Sequence, residues 1–107
     1  MNSKKKIFIA GHKGLVGSAI KRRLELEEDI EIYTESKENL NLLDKEAVLN
    51  FFITNKFDEV YLCAARVGGI HANNTYPVNF ILENLSIQNN IIESSHSTNV
   101  EKLLFLG

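Results

Sequence analysis

The sequence is poor in the residues that staple or punctuate a chain. Its 107 residues hold one cysteine, Cys63, one proline, Pro77, and no tryptophan. A single cysteine excludes an internal disulfide and fits a reducing compartment. One proline leaves no proline-rich linker, and no repeat or low-complexity tract divides the chain. Charge of one sign is also scarce: 12 Lys+Arg stand against 14 Asp+Glu. Without a basic stripe, binding to a phosphate backbone has no electrostatic footing, so nucleic acid is not an expected partner. No apolar run approaches the roughly 20 residues that span a bilayer, so no membrane partner is expected. Lys4-Lys5-Lys6 before Ile7-Phe8-Ile9-Ala10 could pass for a signal peptide, but four apolar residues before Gly11-His12-Lys13 are too few. The expected location is the cytoplasm. His12, His71 and His96 show no metal-ligand spacing to one another or to Cys63, so no metal is expected. Cys63 itself reads as a small buried filler.

What is present is an alternation of short β-like runs and longer helical patterns. Ile7 to Ala10 is a continuous apolar run ending at Gly11, the signature of a strand buried on both faces. Leu15, Val16, Ala19, Ile20 and Leu24 then recur at helical spacing, as in an amphipathic helix of about three turns. Ile30 to Thr34 alternates as a second strand. Lys45 to Asn55 carries Ala47, Val48, Phe51 and Phe52 at helical spacing, with Asp44 placed to cap it. Glu59 to Ala65 is a third strand. Pro77 suits the first turn of a helix running from about Val78 to Ser95. Lys102 to Leu106 is a fourth strand.

The order βαβαβαβ predicts an α/β fold, a Rossmann-type parallel sheet with helices on both faces. The expected strand order is 3-2-1-4. Gly107 directly follows a strand whose tip should line a ligand crevice. Residues 1–107 therefore read as the N-terminal part of a larger dinucleotide-binding domain, truncated after the fourth strand, with catalytic and substrate parts elsewhere.

Gly11-His12-Lys13-Gly14-Leu15-Val16-Gly17 has the spacing G-x-x-G-x-x-G between a strand and a helix. Gly11 would permit the tight turn, Gly14 close approach of a pyrophosphate, and Gly17 close packing of helix on strand. The helix N-terminus offers free N–H groups and a positive dipole end to phosphates. No Gly-Lys-Ser/Thr closes the loop, so it is not a Walker P-loop.

This spacing, with Leu62-Cys63-Ala64-Ala65 at the third strand's end, resembles the extended short-chain dehydrogenase/reductases. Val67-Gly68-Gly69-Ile70, Ala72 to Pro77 and Lys102 to Gly107 narrow the resemblance to the members that epimerise and reduce GDP-4-keto sugars. The resemblance implies an NADP-dependent epimerase and oxidoreductase with a GDP-sugar substrate. It further implies a homodimer joined through the Val78–Ser95 helix, and catalytic residues that follow the fourth strand. It places the cofactor on Gly11, His12, Lys13, Gly14, Leu15, Val16, Gly17, Lys37, Asn41, Leu42, Ala64, Ala65 and Val67. No catalytic residue falls within the chain, which alone should be inactive. A non-catalytic dinucleotide-binding module is the alternative reading.

Cofactor choice turns on the second strand's end, Tyr33-Thr34-Glu35-Ser36-Lys37. A carboxylate there suits the ribose hydroxyls of NAD and repels the 2′-phosphate of NADP. Glu35 therefore points to NAD, while Lys13 and Lys37 point to NADP. NADP (NADPH) is the expected cofactor, with NAD the alternative. Tyr33-x-x-x-Lys37 also matches the Tyr-x-x-x-Lys pattern of short-chain dehydrogenase catalysis. It lies on a strand in the adenine half, so it reads as a coincidence.

Overall fold

The computed structural model describes residues 4–36, 38–63 and 78–105. The elements run β1 (Lys5–Ala10), α1 (Leu15–Leu24), β2 (Ile30–Tyr33), α2 (Lys45–Asn55), β3 (Glu59–Leu62), α3 (Val78–Ser97) and β4 (Lys102–Phe105). All strand pairs are parallel. The expected βαβαβαβ alternation is present. Ala64, Ala65, Pro77 and Leu106 lie outside the described residues. No described helix is long and apolar enough to cross a membrane.

The strand order differs from the expectation. It is β2-β1-β3-β4, not 3-2-1-4. The third strand does not extend the sheet beyond β2 but pairs with β1, from Ile7 opposite Glu59 to Ala10 opposite Leu62. The reason lies in what each strand has to bury. Ile7, Phe8, Ile9 and Ala10 are apolar without interruption, and all four are buried. Either order gives such a strand two neighbours, but the observed one seats the fully buried Val60 and Leu62 of β3 inside the sheet next to it. β2 has only four residues, each half-buried, and tolerates the edge.

Successive β1 residues point to opposite faces. Phe8 and Ala10 join the core beneath α2 and α3, with Val48, Phe52, Phe57, Val60, Leu62 and Ile91. Phe8 stacks on Phe57 at 5.2 Å and meets Phe51 and Phe52 edge-on. The crossover through α1 goes one way from β1 and the crossover through α2 returns past it. Right-handed crossovers in opposite directions place their helices on opposite faces. α1 accordingly contacts β1 and β2 and leaves α2 and α3 to pack on each other.

α1 buries a different face from the one its apolar pattern suggests. Gly17 is buried and Ile20 and Leu24 are half-buried, whereas Leu15 and Val16 are exposed. Close approach at Gly17 sets the rotation of the helix, and the first-turn apolar residues then turn outward. α2 has the boundaries expected of it, and Asp44 caps it by accepting the Ala47 N–H at 3.2 Å. α3 ends in a left-handed Asn99 (φ 60°), with the Val100 N–H closing on the Ser95 carbonyl. This Schellman-type turn stops the helix without a glycine.

Candidate functional site

The strand order reverses direction between β1 and β3. In open parallel sheets such a reversal opens a crevice at the strands' carboxyl ends. Gly11 lies there, immediately after β1. Its φ of 88° is a left-handed value that glycine adopts without strain. The turn brings the Gly14 N–H to the Gly11 carbonyl at 3.2 Å and starts α1 at once. Gly14 is the N-cap, no side chain caps the helix, and its first turn carries no acidic residue. The leading N–H groups of α1 thus carry neither a side-chain cap nor an acidic residue of their own turn.

The glycines at 14 and 17 are needed for different reasons. A Cβ on Gly17 would overlap the Gly11 carbonyl oxygen and stand 2.8 Å from its carbon. That glycine serves packing within the fold. Among the described residues, a Cβ on Gly14 would meet only the Gly11 oxygen, at an ordinary 3.6 Å, and the Gly14 φ is −73°. Neither sterics nor backbone conformation demands glycine there. The space kept free lies at the uncapped helix end, which fits an anionic group approaching the backbone.

A cavity of about 380 Å³ opens at this place. Of the residues expected to bind cofactor, Gly11, His12, Lys13, Gly14 and Leu42 line it. Gly17 sits behind the loop as its packing support. Leu15 and Val16 occupy the first turn of α1 with exposed side chains outside the cavity wall. Asn41 is also outside the wall, and its Oδ1 accepts the Leu43 N–H at 3.0 Å. Lys37, Ala64, Ala65 and Val67 lie outside the described residues.

The wall also includes Glu35, weighed above as a ribose ligand of NAD, and residues not anticipated as ligands: Phe8, Ala10, Ser36, Glu38, Leu40 and Cys63. Glu35 carried a legible signal, its place after β2. Leu40 and Leu42 flank Asn41 two residues apart, a weak signal that the fold interprets. Cys63 continues the ladder beyond β3, its N–H donating to the Ala10 carbonyl at 2.8 Å. Burial pushes its thiol up, which suits an inert wall rather than a nucleophile.

The site's charge is divided. Lys13 and the helix terminus are positive, and Glu35 and Glu38 line the β2 side. His12 is held below its ordinary pKa by burial first and then by Lys13 and Lys21, with Glu35 opposing. Tyr33 is engaged elsewhere. Its hydroxyl donates to Glu31 Oε1 at 3.0 Å, and its ring meets Phe57 edge-on.

Residues 7–107 match the pattern of the NAD dependent epimerase/dehydratase family. The chain belongs to that family. Among curated relatives, it is 55% identical over 105 residues to GDP-L-fucose synthase of Escherichia coli, covering 98% of this chain and 33% of that protein. It is 48% identical over 103 residues to GDP-L-fucose synthase of Sinorhizobium fredii, covering 96% and 32%. Among solved structures, a GDP-mannoheptose C4 reductase from Campylobacter jejuni with NADP bound superposes with a TM-score of 0.87 at 38% identity. It covers all of this chain and 32% of that one. The expected resemblance to GDP-sugar epimerase-reductases therefore holds along nearly the whole chain. The chain spans about a third of the length of the relatives it matches.

Proposed function

We propose that this chain is the N-terminal, dinucleotide-binding part of an NADP-dependent nucleotide-sugar epimerase/reductase. The substrate of the intact enzyme is a GDP-4-keto sugar. The reaction is conversion of GDP-4-keto-6-deoxymannose to GDP-L-fucose, or the corresponding reduction of a related GDP-sugar. The observation that carries this reading is the uncapped N-terminus of α1 beneath Gly14, where the fold leaves open the space a Cβ would fill. The NADP bound to the similar Campylobacter reductase supports the choice of cofactor.

When bound, NADPH supplies a hydride for reduction of a ketone. The residues of this chain bind and orient. The α1 N–H groups and the Gly11–Gly14 backbone would hold the pyrophosphate, and Lys13 and Lys37 the 2′-phosphate. Leu40, Asn41 and Leu42 would flank the adenosine. Ala64, Ala65 and Val67 would lie toward the nicotinamide. The acid and base of the reaction belong to residues beyond this chain, in a cytoplasmic homodimer.

Titration calorimetry of the intact protein with NADPH tests this reading. Saturable one-to-one binding that competes with adenosine 2′,5′-bisphosphate is expected. Failure to bind either NADPH or NADH would overturn it. The 107-residue chain alone should bind without turning over any GDP-4-keto sugar, and turnover by it would overturn the assignment of the acid and base.

A further inference from the structure

The cavity's β2 side is built from residues 34–44, which carry no helix or strand in their described part. Local hydrogen bonds shape this segment. The Asn39 and Leu40 N–H groups donate to the Ser36 carbonyl, and the Asp44 N–H donates to that of Asn41. Bonds between near neighbours fold a turn but do not locate it against the sheet. Among the described residues, two longer-range contacts locate it. Leu40 is buried in the core, with Leu42 packed against it. Asn90, 48 residues away on α3, donates its Nδ2–H to the Leu42 carbonyl at 2.9 Å.

Asn90 is only 7% exposed. It sits beside Ile91 on the side of α3 that also buries Ser94 and Ser95. A buried amide is costly unless it is hydrogen-bonded. The Lys45–Glu93 pair also links α2 and α3, at 3.3 Å, but both groups are well exposed. Exposed pairs of this kind contribute little. Among the described residues, the buried bond is therefore a directional tie between α3 and the cavity wall.

We infer that Asn90 is a positioning residue for the adenosine end of the cofactor site. It acts through the Leu42 carbonyl, holding the Leu40–Leu42 wall at its distance from the glycine loop. The inference rests on the dinucleotide reading above. In folds of this type the adenosine ribose lies toward the end of the second strand. The wall that Asn90 holds is therefore on the adenosine side, and the nicotinamide side is built from other residues.

The test uses the intact protein and three probes: NADPH, adenosine 2′,5′-bisphosphate and reduced nicotinamide mononucleotide. Asn90→Leu keeps the side chain's branching but removes the donor. It should weaken NADPH and the bisphosphate by a similar factor, about tenfold or ~1.4 kcal/mol, and leave the mononucleotide unchanged. Asn90→Ser, too short to reach the carbonyl, should repeat the pattern if the leucine variant fails to fold. Ile91→Val on the same helix should lower thermal stability while leaving all three affinities intact. Unchanged NADPH affinity in a folded Asn90 variant would overturn the inference, as would equal losses for both cofactor halves. Wild-type protein that binds none of the probes would instead overturn the dinucleotide reading itself.

Discussion

Gly17 stands so close to Gly11 that α1 and the turn after β1 share one backbone contact surface. A methyl group on Gly17 would overlap the Gly11 carbonyl oxygen and reach within 3.1 Å of the His12 Cα. The obstructing atoms are all backbone, so no side chain can rotate away. Gly17→Ala should therefore destabilise by about 1–3 kcal/mol, the usual penalty of overpacking. Urea unfolding of the variant against wild type measures it. An unchanged midpoint would show that α1 can shift without cost.

Gly14→Ala should behave in the opposite way. Its Cβ fits at ordinary distance and its backbone is conventional, so stability should change by less than about 1 kcal/mol, mostly through the poorer N-cap. Dinucleotide affinity, in contrast, should fall at least tenfold, because the added methyl occupies the space before the helix terminus. Calorimetry and unfolding on the same sample separate the two effects. Retained affinity would mean the phosphates do not approach Gly14.

His12 gives a pH dependence whose sign follows from its depressed pKa. The unfolded chain takes up a proton near the ordinary value of 6.5, and the folded chain resists it. Between the folded pKa and 6.5 the unfolded state binds more protons, so stability rises with pH across that window. Above 6.5 both states are neutral and the effect vanishes. Wild type should consequently lose more stability than His12→Gln between pH 7.5 and pH 5.5. Parallel losses in the two proteins would contradict this environment for His12.

Glu35 and Lys37 should pull cofactor preference in opposite directions. NADPH should bind more tightly than NADH. A charge-assisted contact to the 2′-phosphate contributes about 1–3 kcal/mol, so Lys37→Ala should narrow the gap between the two cofactors. Glu35 lines the cavity with an exposed carboxylate. Glu35→Gln should widen the gap by a few-fold, within the ~0.2–1 kcal/mol typical of exposed charges. Affinities for both cofactors, measured on each variant, decide the matter.

The legible parts of this protein are those governed by local rules. Apolar runs and helical spacing placed the seven elements, because side-chain periodicity follows backbone geometry. Asp44 was recognisable as a cap because a carboxylate before a helix meets donors two or three residues on. The glycine loop was recognisable because left-handed backbone and close packing both exclude a side chain at set intervals. Glu35 stood out because its position relative to the loop is set by one βαβ unit.

Other features depend on contacts between distant parts of the chain. The neighbours of β1 were decided by where the α2 crossover carries the chain, and that corrected the strand order. The buried face of α1 was decided at Gly17, where contact with Gly11 turns Leu15 and Val16 outward. Leu40 and Cys63 became cavity wall only when β2, β1 and β3 stood side by side. The Asn90–Leu42 bond joins residues 48 positions apart, and nothing near either residue announces the other. The sequence by itself determined the elements and the loop, which arise from neighbours a few residues apart. The tertiary structure alone decided their order, their faces and the shape of the site, because those follow from how non-local apolar surfaces are buried together.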